Sequence, residues 1–245
     1  EAFYKEFGLQ LKYGIYQNFG MNKGALQDLI MFKSVKLDKY VTLKEYVTAM
    51  PEDQKYIYYA TGKTVDAIKL MPQIDKVSEK GYDVLCMTDE VDEFTVKALN
   101  EYESKQFRSV SGGDLGIEEE DTAENDKPLA DYIKETLGDK VEKVRISNRI
   151  KNHPVCLTAE GEVSIEMEKV LNSMPNANGA IKAKKVLEIN SESPICEKLR
   201  KCYESDKDKV KELADILYQL ALVIEGMQIE NPTALTDSIC KLLAE

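Results

Sequence analysis

The feature that most constrains the fold is a break in composition near the middle of the chain. Residues 111–128 read SGGDLGIEEEDTAENDKP, with three glycines, one proline and seven acidic side chains. A stretch so rich in charge and so poor in large apolar side chains is typical of a solvated linker. The sequence therefore predicts two domains, residues 1–112 and 129–245, joined by an acidic linker over residues 113–128.

The first half alternates helical and strand patterns. Three β-rich apolar runs, KYIYYA, YDVLCMT and KQFRSV, are separated by helical segments and short joints. This order predicts an α/β domain with a small parallel sheet, right-handed crossovers and a three-layer-like arrangement. We expect helices over about 2–15, 22–32 and 91–103, with Asp89 capping the last. Thr42 and Glu45 have the spacing of a capping box that starts another helix.

One short run raises the question of a nucleotide site. Residues 58–64 read YYATGKT and end as a phosphate-binding loop ends, but that loop needs a glycine five positions before Gly62, where the residue is Ile57. The alternative is that Gly62 turns the chain at a strand end and Thr64 caps the next helix. We expect the second, and an enzyme that uses this run for phosphate stays as a competing hypothesis.

Composition restricts the function classes. The net charge of −11 argues against a broad nucleic-acid or anionic-membrane surface, and no apolar run reaches the roughly 18 residues of a membrane span. Five irregularly spaced cysteines and the single histidine, His153, provide no metal-ligand spacing and no disulfide framework. We expect free thiols in a reducing cytoplasm, no metal or cofactor site, and no catalytic group.

The second half predicts an α+β domain with an all-helical end. A helix over 129–138 precedes two β-rich runs, VEKVRISNRI and PVCLTAE, which we expect to form a hairpin around the turn KNH. A helical stripe over 163–174 and a strand, KVLEI, follow. Three helices, about 194–204, 207–225 and 232–244, finish the chain.

The helix over 163–174 has more apolar surface than one core face needs, because Ile165 lies off its main stripe. Ordinary core packing explains the pattern, and so does a surface that binds varied partners, since methionine is soft and adaptable. The stripe itself consists of Val163, Met167, Val170, Leu171 and Met174.

The last two helices carry more apolar surface than a chain end can cover. The helix over 207–225 keeps only a narrow polar strip with Asp215 and Gln219, and Asn231 and Pro232 start the final helix. A monomeric core is one solution. The other, which we favour, is a four-helix bundle with a second copy. The expected interface residues are Leu213, Leu217, Leu220, Ile224, Leu235, Ile239 and Leu242.

Several runs resemble the 90-kilodalton heat-shock chaperone family. TLKEYVTAMPEDQKYIYYATGKT is similar to the family pattern S-L-K-D-Y-V-x-R-M-K-x-x-Q-K-x-I-Y-Y-I-T-G, with Ala49 where the family often has Arg. FYKEFGLQLKYGI, KGYDVLCMTDEVDEFTVKAL and VEKVRISNRIKNHPVCLTAEGEVSIEME also match. The likeness spans essentially the whole chain and fits a bacterial-type member.

The resemblance implies a fragment: the later part of the family's middle domain, the acidic linker, and the C-terminal dimerisation domain. It implies a stress-response chaperone that folds cytoplasmic client proteins as a homodimer. The ATP-binding domain would lie upstream, so ATP and Mg²⁺ would act only in the intact protein and this fragment would not be an enzyme. Because the chain ends ICKLLAE, no tetratricopeptide co-chaperone is expected.

The resemblance also gives the two apolar surfaces their roles. The stripe on the helix over 163–174 becomes a client-binding face, and the terminal helices become the dimer bundle. An acidic scaffold whose linker recruits basic partners, with no role in client folding, stays open as the alternative.

Overall fold

The computed structural model of the protein describes residues 2–117, 122–174 and 181–244. The chain divides into two compact units, residues 1–116 and 117–245. Both units mix helices with a sheet, so the predicted α/β and α+β classes are confirmed.

The first unit contains short helices between short strands. Its helices are α1 (Ala2–Tyr16), α2 (Lys23–Leu26), α3 (Leu43–Thr48), α4 (Val65–Lys69), α5 (Asp75–Glu79) and α6 (Asp92–Leu99). Its strands are β1 (Met31–Ser34), β2 (Tyr40–Thr42), β3 (Ile57–Thr61), β4 (Leu85–Met87), β5 (Glu101–Tyr102) and β6 (Lys105–Ser109).

These strands form one six-stranded sheet in the order β2-β1-β4-β3-β6-β5. The three predicted strands lie at its centre, where β3 pairs in parallel with both β4 and β6. Tyr59 is opposite Leu85 on one side, and Ile57 is opposite Phe107 on the other. A central parallel strand is covered on both faces, which explains why β3 is a continuous apolar run. The predicted parallel core is confirmed.

The elements at the sides of this sheet differ from those that the sequence analysis predicted. The expected helix over 22–32 is wrong: α2 has only four residues, and β1 follows and pairs antiparallel with β2 and β4. The alternation of buried Phe32 and Ser34 with half-buried neighbours is the strand pattern that the helix reading missed. Asp89 does not cap α6, because its carboxylate binds the Lys12 ammonium at 2.7 Å, and α6 ends before Asn100 instead of reaching residue 103.

Thr42 and Thr64 each cap the start of a helix, as the sequence predicts. Thr42 Oγ1 accepts from the backbone N–H of Glu45 at 3.1 Å, and the Glu45 carboxylate accepts from the backbone N–H of Thr42 at 2.8 Å. Thr64 Oγ1 accepts from the backbone N–H of Ala67, which starts α4. Both contacts satisfy N–H groups that the first helical turn leaves without a partner.

The predicted linker is packed at both of its described ends. Leu115 is fully buried, and its carbonyl accepts from the Tyr58 hydroxyl at 2.9 Å. Arg108 binds the carboxylate of Asp114. At the other end the Arg200 guanidinium binds both carboxylate oxygens of Asp126 at 2.7 Å. The expectation of a fully solvated segment over 113–128 is therefore wrong for these residues, whereas residues 118–121 lie outside the described chain.

The second unit packs helices against a three-stranded sheet. Its helices are α7 (Lys127–Leu137), α8 (Ile165–Ser173), α9 (Pro194–Ser205), α10 (Lys207–Ile224) and α11 (Pro232–Leu243). Its strands are β7 (Lys143–Ser147), β8 (Val155–Glu160) and β9 (Lys184–Asn190), in the order β7-β9-β8.

The expected hairpin between β7 and β8 is wrong. Both strands pair with β9 instead, β7 in parallel and β8 antiparallel. β9 takes the central place because it is buried from residue 185 to residue 190, a length that an edge strand would expose. Sequence proximity predicted the hairpin, and the longer apolar run of β9 overrides it.

The core of the second unit lies between this sheet and helices α7, α9 and α10. Leu157 and Leu187 on the strands, Leu199 on α9 and Leu213 on α10 are buried in one continuous cluster. This cluster covers α10 along most of its length and leaves the last turn of the helix at the surface.

Candidate protein-binding surfaces

The helix α8 begins at a well-defined cap. Ser164 Oγ accepts from the backbone N–H of Met167 at 3.0 Å, and this fixes where the helix starts. Ile165, the first helical residue, is buried in the core of the second unit. The residue that seemed off the main stripe is therefore the one that anchors the helix.

Polar contacts fix one side of α8. The buried Glu168 carboxylate accepts from the backbone N–H of Ala183 at 2.6 Å and from the Lys185 ammonium at 2.5 Å. Asn172 donates to the carbonyl of Ile181 at 2.8 Å. Charge-assisted bonds of this kind are stronger than neutral ones, and they hold α8 against the beginning of β9.

Beside these polar contacts, apolar side chains of α8 and of the residue after it reach the surface. Met174, directly after the helix, is 49% exposed, and Met167 and Leu171 are partly exposed. Val170 is buried, and Val163 packs against the core. The predicted stripe therefore divides into two residues that serve the fold and three that reach the surface.

The structure adds one apolar residue to this surface. Ile181 is 38% exposed, and its carbonyl is the group that Asn172 holds. It follows a segment outside the described chain, so no helical periodicity could have connected it with α8. We call Met167, Leu171, Met174 and Ile181 the α8 apolar face.

A hydrogen bond joins α8 to the end of α10. The Lys169 ammonium donates to the carbonyl of Glu225, the residue after the last turn of α10, at 3.0 Å. A cation is favourable there because carbonyl groups at a helix C-terminus lack intrahelical partners. The α8 apolar face and the end of α10 therefore belong to one connected part of the second unit.

The residues expected at a dimer interface are divided between core and surface. Leu213, Leu217 and Leu235 are buried within this single chain. Leu213 and Leu217 belong to the core cluster, because the sheet and α7 cover the side of α10 that the sequence analysis gave to a partner, whereas Leu235 is buried on α11. The remaining four of the expected residues are half-buried or exposed: Leu220, Ile224, Ile239 and Leu242.

Other apolar groups near the chain end are more exposed than the predicted ones. Val223 and Ile224 at the end of α10 are 51% and 44% exposed, and Leu243 at the end of α11 is 82% exposed. The sequence analysis did not include Val223 and Leu243 in the interface. The sequence signal that could have identified them was their position in the last helical turn, which the core does not cover. Lys241 on α11 binds Glu212 near the start of α10, so Leu243 lies toward the opposite end of this helix pair from Val223 and Ile224. We call these three exposed residues of the terminal helices, taken together, the terminal apolar face.

The phosphate-like run in the first unit is used by the fold. The backbone N–H of Gly62 donates to the carbonyl of Met87 at 3.0 Å, which extends the pairing of β3 with β4. Thr64 caps α4 through its hydroxyl. Two of the groups that a phosphate loop would direct at its ligand are thus engaged with the protein itself.

A partly buried charge cluster joins α1 to the start of α6 in the first unit. The Lys12 ammonium contacts Asp92 at 2.5 Å and Asp89 at 2.7 Å, and it lies 4.9 Å from the centre of the Phe32 ring. Burial opposes the charged form of Lys12, but the Asp92 charge and the bonds to both carboxylates outweigh it and raise the pKa of Lys12. Its role is structural.

Residues 2–117, 122–174 and 181–244 contain no group of three or more His, Cys, Asp or Glu side chains that could hold a metal ion. Within the same ranges, no helix has the length and apolar character that crossing a bilayer requires.

The chain was compared with known proteins. A sequence model of the family described as "Hsp90 protein" matches residues 1–245. The chain is 55% identical over 250 residues to "Chaperone protein HtpG" of Clostridium botulinum (strain Langeland), which covers 99% of this chain and 40% of that protein. It is 53% identical over 247 residues to "Chaperone protein HtpG" of Clostridium perfringens (strain 13), with the same two coverages.

These matches define the class. The chain has two units that each mix helices with a sheet, and the second unit leaves apolar helix ends uncovered. The family model matches the whole chain. The chain belongs to the Hsp90 family, as the sequence analysis predicted. It spans about 40% of the length of the curated relatives that it matches.

Proposed function

We propose that this chain acts within a molecular chaperone and that the α8 apolar face binds non-native protein. The observation that carries the proposal is that polar contacts fix α8 while apolar side chains beside them reach the surface. Glu168 and Asn172 bond to the segment before β9, whereas Met167 and Leu171 are partly exposed and Met174 is exposed. Family membership and the names of the relatives, which are chaperones, support the same conclusion.

The chemistry of this face suits such ligands. Unfolded chains expose apolar side chains that native proteins bury, and burial of apolar surface is favourable without directional requirements. Methionine has three rotatable bonds and a polarisable sulfur, so it adapts to side chains of different shape. A face with two methionines therefore binds many sequences with modest affinity.

We further propose that a second copy of the chain covers the terminal apolar face. Val223 and Ile224 at the end of α10 and Leu243 at the end of α11 together leave close to two whole side chains uncovered on the terminal helix pair. Symmetric dimers bury such patches against themselves, since one surface then supplies both sides of the contact. Homodimerisation would place two α8 apolar faces in one assembly.

We also propose that ATP and Mg²⁺, if the intact protein uses them, bind outside residues 1–245, and that the protein works in the cytoplasm. The engagement of Gly62 with Met87 and of Thr64 with α4 supports the first point. The five cysteines, all of them free thiols, support the second. The acidic-scaffold alternative is weaker, because Asp114 and Asp126 are already paired within the chain.

The test compares two pairs of substitutions. Met167→Ser with Met174→Ser removes about 1–2 kcal/mol of apolar contact, so the affinity for a non-native protein should fall about five- to thirtyfold. The readout is the protein concentration that halves the aggregation of a heat-unfolded enzyme. Met21→Ser with Leu70→Ser is the matched control, since these residues are 84% and 74% exposed in the first unit.

The proposal requires that the control keep full activity while both variants keep the unfolding midpoint of the parent. Equal suppression of aggregation by the parent and the Met167/Met174 variant would show that clients bind elsewhere.

A further inference from the structure

The first unit contains an apolar cavity of about 550 Å³ that the proposed function does not use. It lies where the turn after β1, the helix α3 and the residues before β4 meet. Its apolar lining includes Leu37, Val41, Tyr46, Ala49 and Met50. Sites for small molecules are typically of this size and are mostly apolar, with a few polar groups that fix orientation.

The wall of this cavity is held rigidly. Tyr46 is buried, and its hydroxyl donates to the carbonyl of Asp83 at 2.6 Å. The same hydroxyl accepts from the backbone N–H of Tyr58 at 3.1 Å and from the side-chain amide of Gln54 at 3.0 Å. Three bonds to three different segments fix the ring, so the cavity exists without a ligand to form it.

The acidic groups in the lining are already satisfied. The Glu45 carboxylate is engaged by Thr42 in the capping box. The Asp83 carboxylate accepts from the Ser34 hydroxyl at 2.6 Å and from the backbone N–H of Lys36 at 3.0 Å. The inside of the cavity therefore offers aliphatic and aromatic surface, which fits an apolar body and not a polar one.

The basic side chains of the lining are less fully engaged by the protein than the acidic ones. Lys36 donates to the carbonyl of Gly81 at 3.0 Å. Lys39 and Lys44 also belong to the lining, are exposed, and form no ion pair within the described ranges of the chain. The three lysines outnumber the two carboxylates of the lining, Glu45 and Asp83, so the opening has a local excess of positive charge in a chain with a net charge of −11.

We propose that this cavity binds a small amphiphile with one aliphatic chain and an anionic carboxylate head. The chain fills the space between Leu37, Val41 and Met50. The head stays at the opening, where Lys39 and Lys44 donate to it as charge-assisted partners. The combination of apolar lining, satisfied acids and unpaired lysines selects this chemistry over a neutral or cationic ligand.

The experiment uses sodium decanoate as the probe, below its micelle-forming concentration, and 1-decanol as its neutral counterpart, below its solubility limit. Binding to the whole chain is measured by calorimetry, and the methyl signals of Met50 and Leu37 in NMR spectra report its place. We expect decanoate to bind at least tenfold more tightly than decanol and to shift both signals.

Two variants test separately the charge at the opening and the space inside the cavity. Lys39→Glu with Lys44→Glu should weaken decanoate binding at least tenfold and leave decanol binding unchanged. Ala49→Trp fills the cavity from an exposed position and should weaken both ligands at least tenfold. Lys55→Glu with Lys63→Glu is the control for net charge, because these exposed lysines lie outside the lining.

Equal affinities for decanoate and decanol, or an unchanged affinity in the Lys39/Lys44 variant, would overturn the proposal. Binding of a short acidic peptide in place of decanoate would also overturn it, since the site would then be a protein-docking groove. Neither result bears on α8, so the proposed function is tested independently.

Discussion

Removal of the terminal apolar face should convert a dimer into a monomer. The perturbation is the triple substitution Val223→Ser, Ile224→Ser and Leu243→Ser, at positions that are 51%, 44% and 82% exposed in the single chain. Because these side chains contribute little to the core of their own unit, serine should leave the fold of the chain intact. What changes is the surface that a second copy would cover.

The size of the effect follows from these exposed fractions. Complete burial of a Val, Leu or Ile side chain is worth about 1.5–3 kcal/mol, so the three together can contribute about 3–5 kcal/mol for each protomer. A symmetric dimer uses this face twice, which gives about 6–10 kcal/mol. Loss of that contribution raises the dissociation constant by more than about ten-thousandfold, enough to dissociate a dimer at micromolar concentration.

The assay is molar mass by light scattering over a hundredfold range of concentration. The monomer has a mass of 27.7 kDa, so the parent should show twice that value and the triple variant the monomer value. Leu29→Ser with Leu70→Ser, at exposed positions of the first unit, is the control and should remain dimeric. A parent that is monomeric throughout, or a triple variant that stays dimeric, would refute the reasoning.

Four further predictions concern the loss of a buried charge, thiol modification, the pH dependence of stability, and nucleotide binding. Lys12→Met should lower the free energy of unfolding of the first unit by about 3–5 kcal/mol in urea titrations, because it leaves Asp92 buried without its counter-charge; a loss below about 1 kcal/mol would contradict this. At pH 8 a thiol reagent should modify exposed Cys240 first, whereas burial raises the pKa of Cys86 and Cys196 to about 11 and protects both until the chain unfolds. The neutral thiols stabilise the fold below their unfolded-state pKa near 9, so stability should fall as the pH rises from 9 to 11, and a flat profile would contradict it. Finally, ATP with Mg²⁺ should not raise the melting temperature of this chain, and a concentration-dependent rise would restore the phosphate hypothesis for Gly62-Lys63-Thr64.

The sequence predicted well those parts of the fold that depend on local signals. The capping box at Thr42, the cap at Asn231 and the parallel pairing of β3 with its neighbours depend on residues close in sequence or on continuous apolar runs. These signals are strong because each one satisfies an unpaired backbone group or buries a whole strand.

Choices between competing long-range partners were not predictable in this way. Asp89 had the spacing of a helix cap, but Lys12, 77 residues away in sequence, binds its carboxylate. The strand β8 had a neighbour in sequence, but β9 is the partner that buries it. In both cases a tertiary contact is stronger than the local preference, and no pattern within a short window reports it.

The candidate surfaces show the same limit. Periodicity correctly identified α8 and the terminal helices as carrying excess apolar residues. It could not separate Val170 and Leu213, which are in the core, from Met174 and Leu243, which are at the surface. Which side of a helix is covered depends on the sheet and helices around it, and the sequence of the helix alone does not contain that information.

The most direct test of the central proposal is site-specific photo-crosslinking from α8. A photoreactive amino acid replaces Met174 in one protein and Met21 in another, both exposed methionines of the chain. Each protein is irradiated with a heat-unfolded enzyme and with the same enzyme in its native form. Our account predicts crosslinks from position 174 to the unfolded form only, with none from position 21. Equal crosslinking from both positions, or none from position 174, would contradict the role of the α8 apolar face.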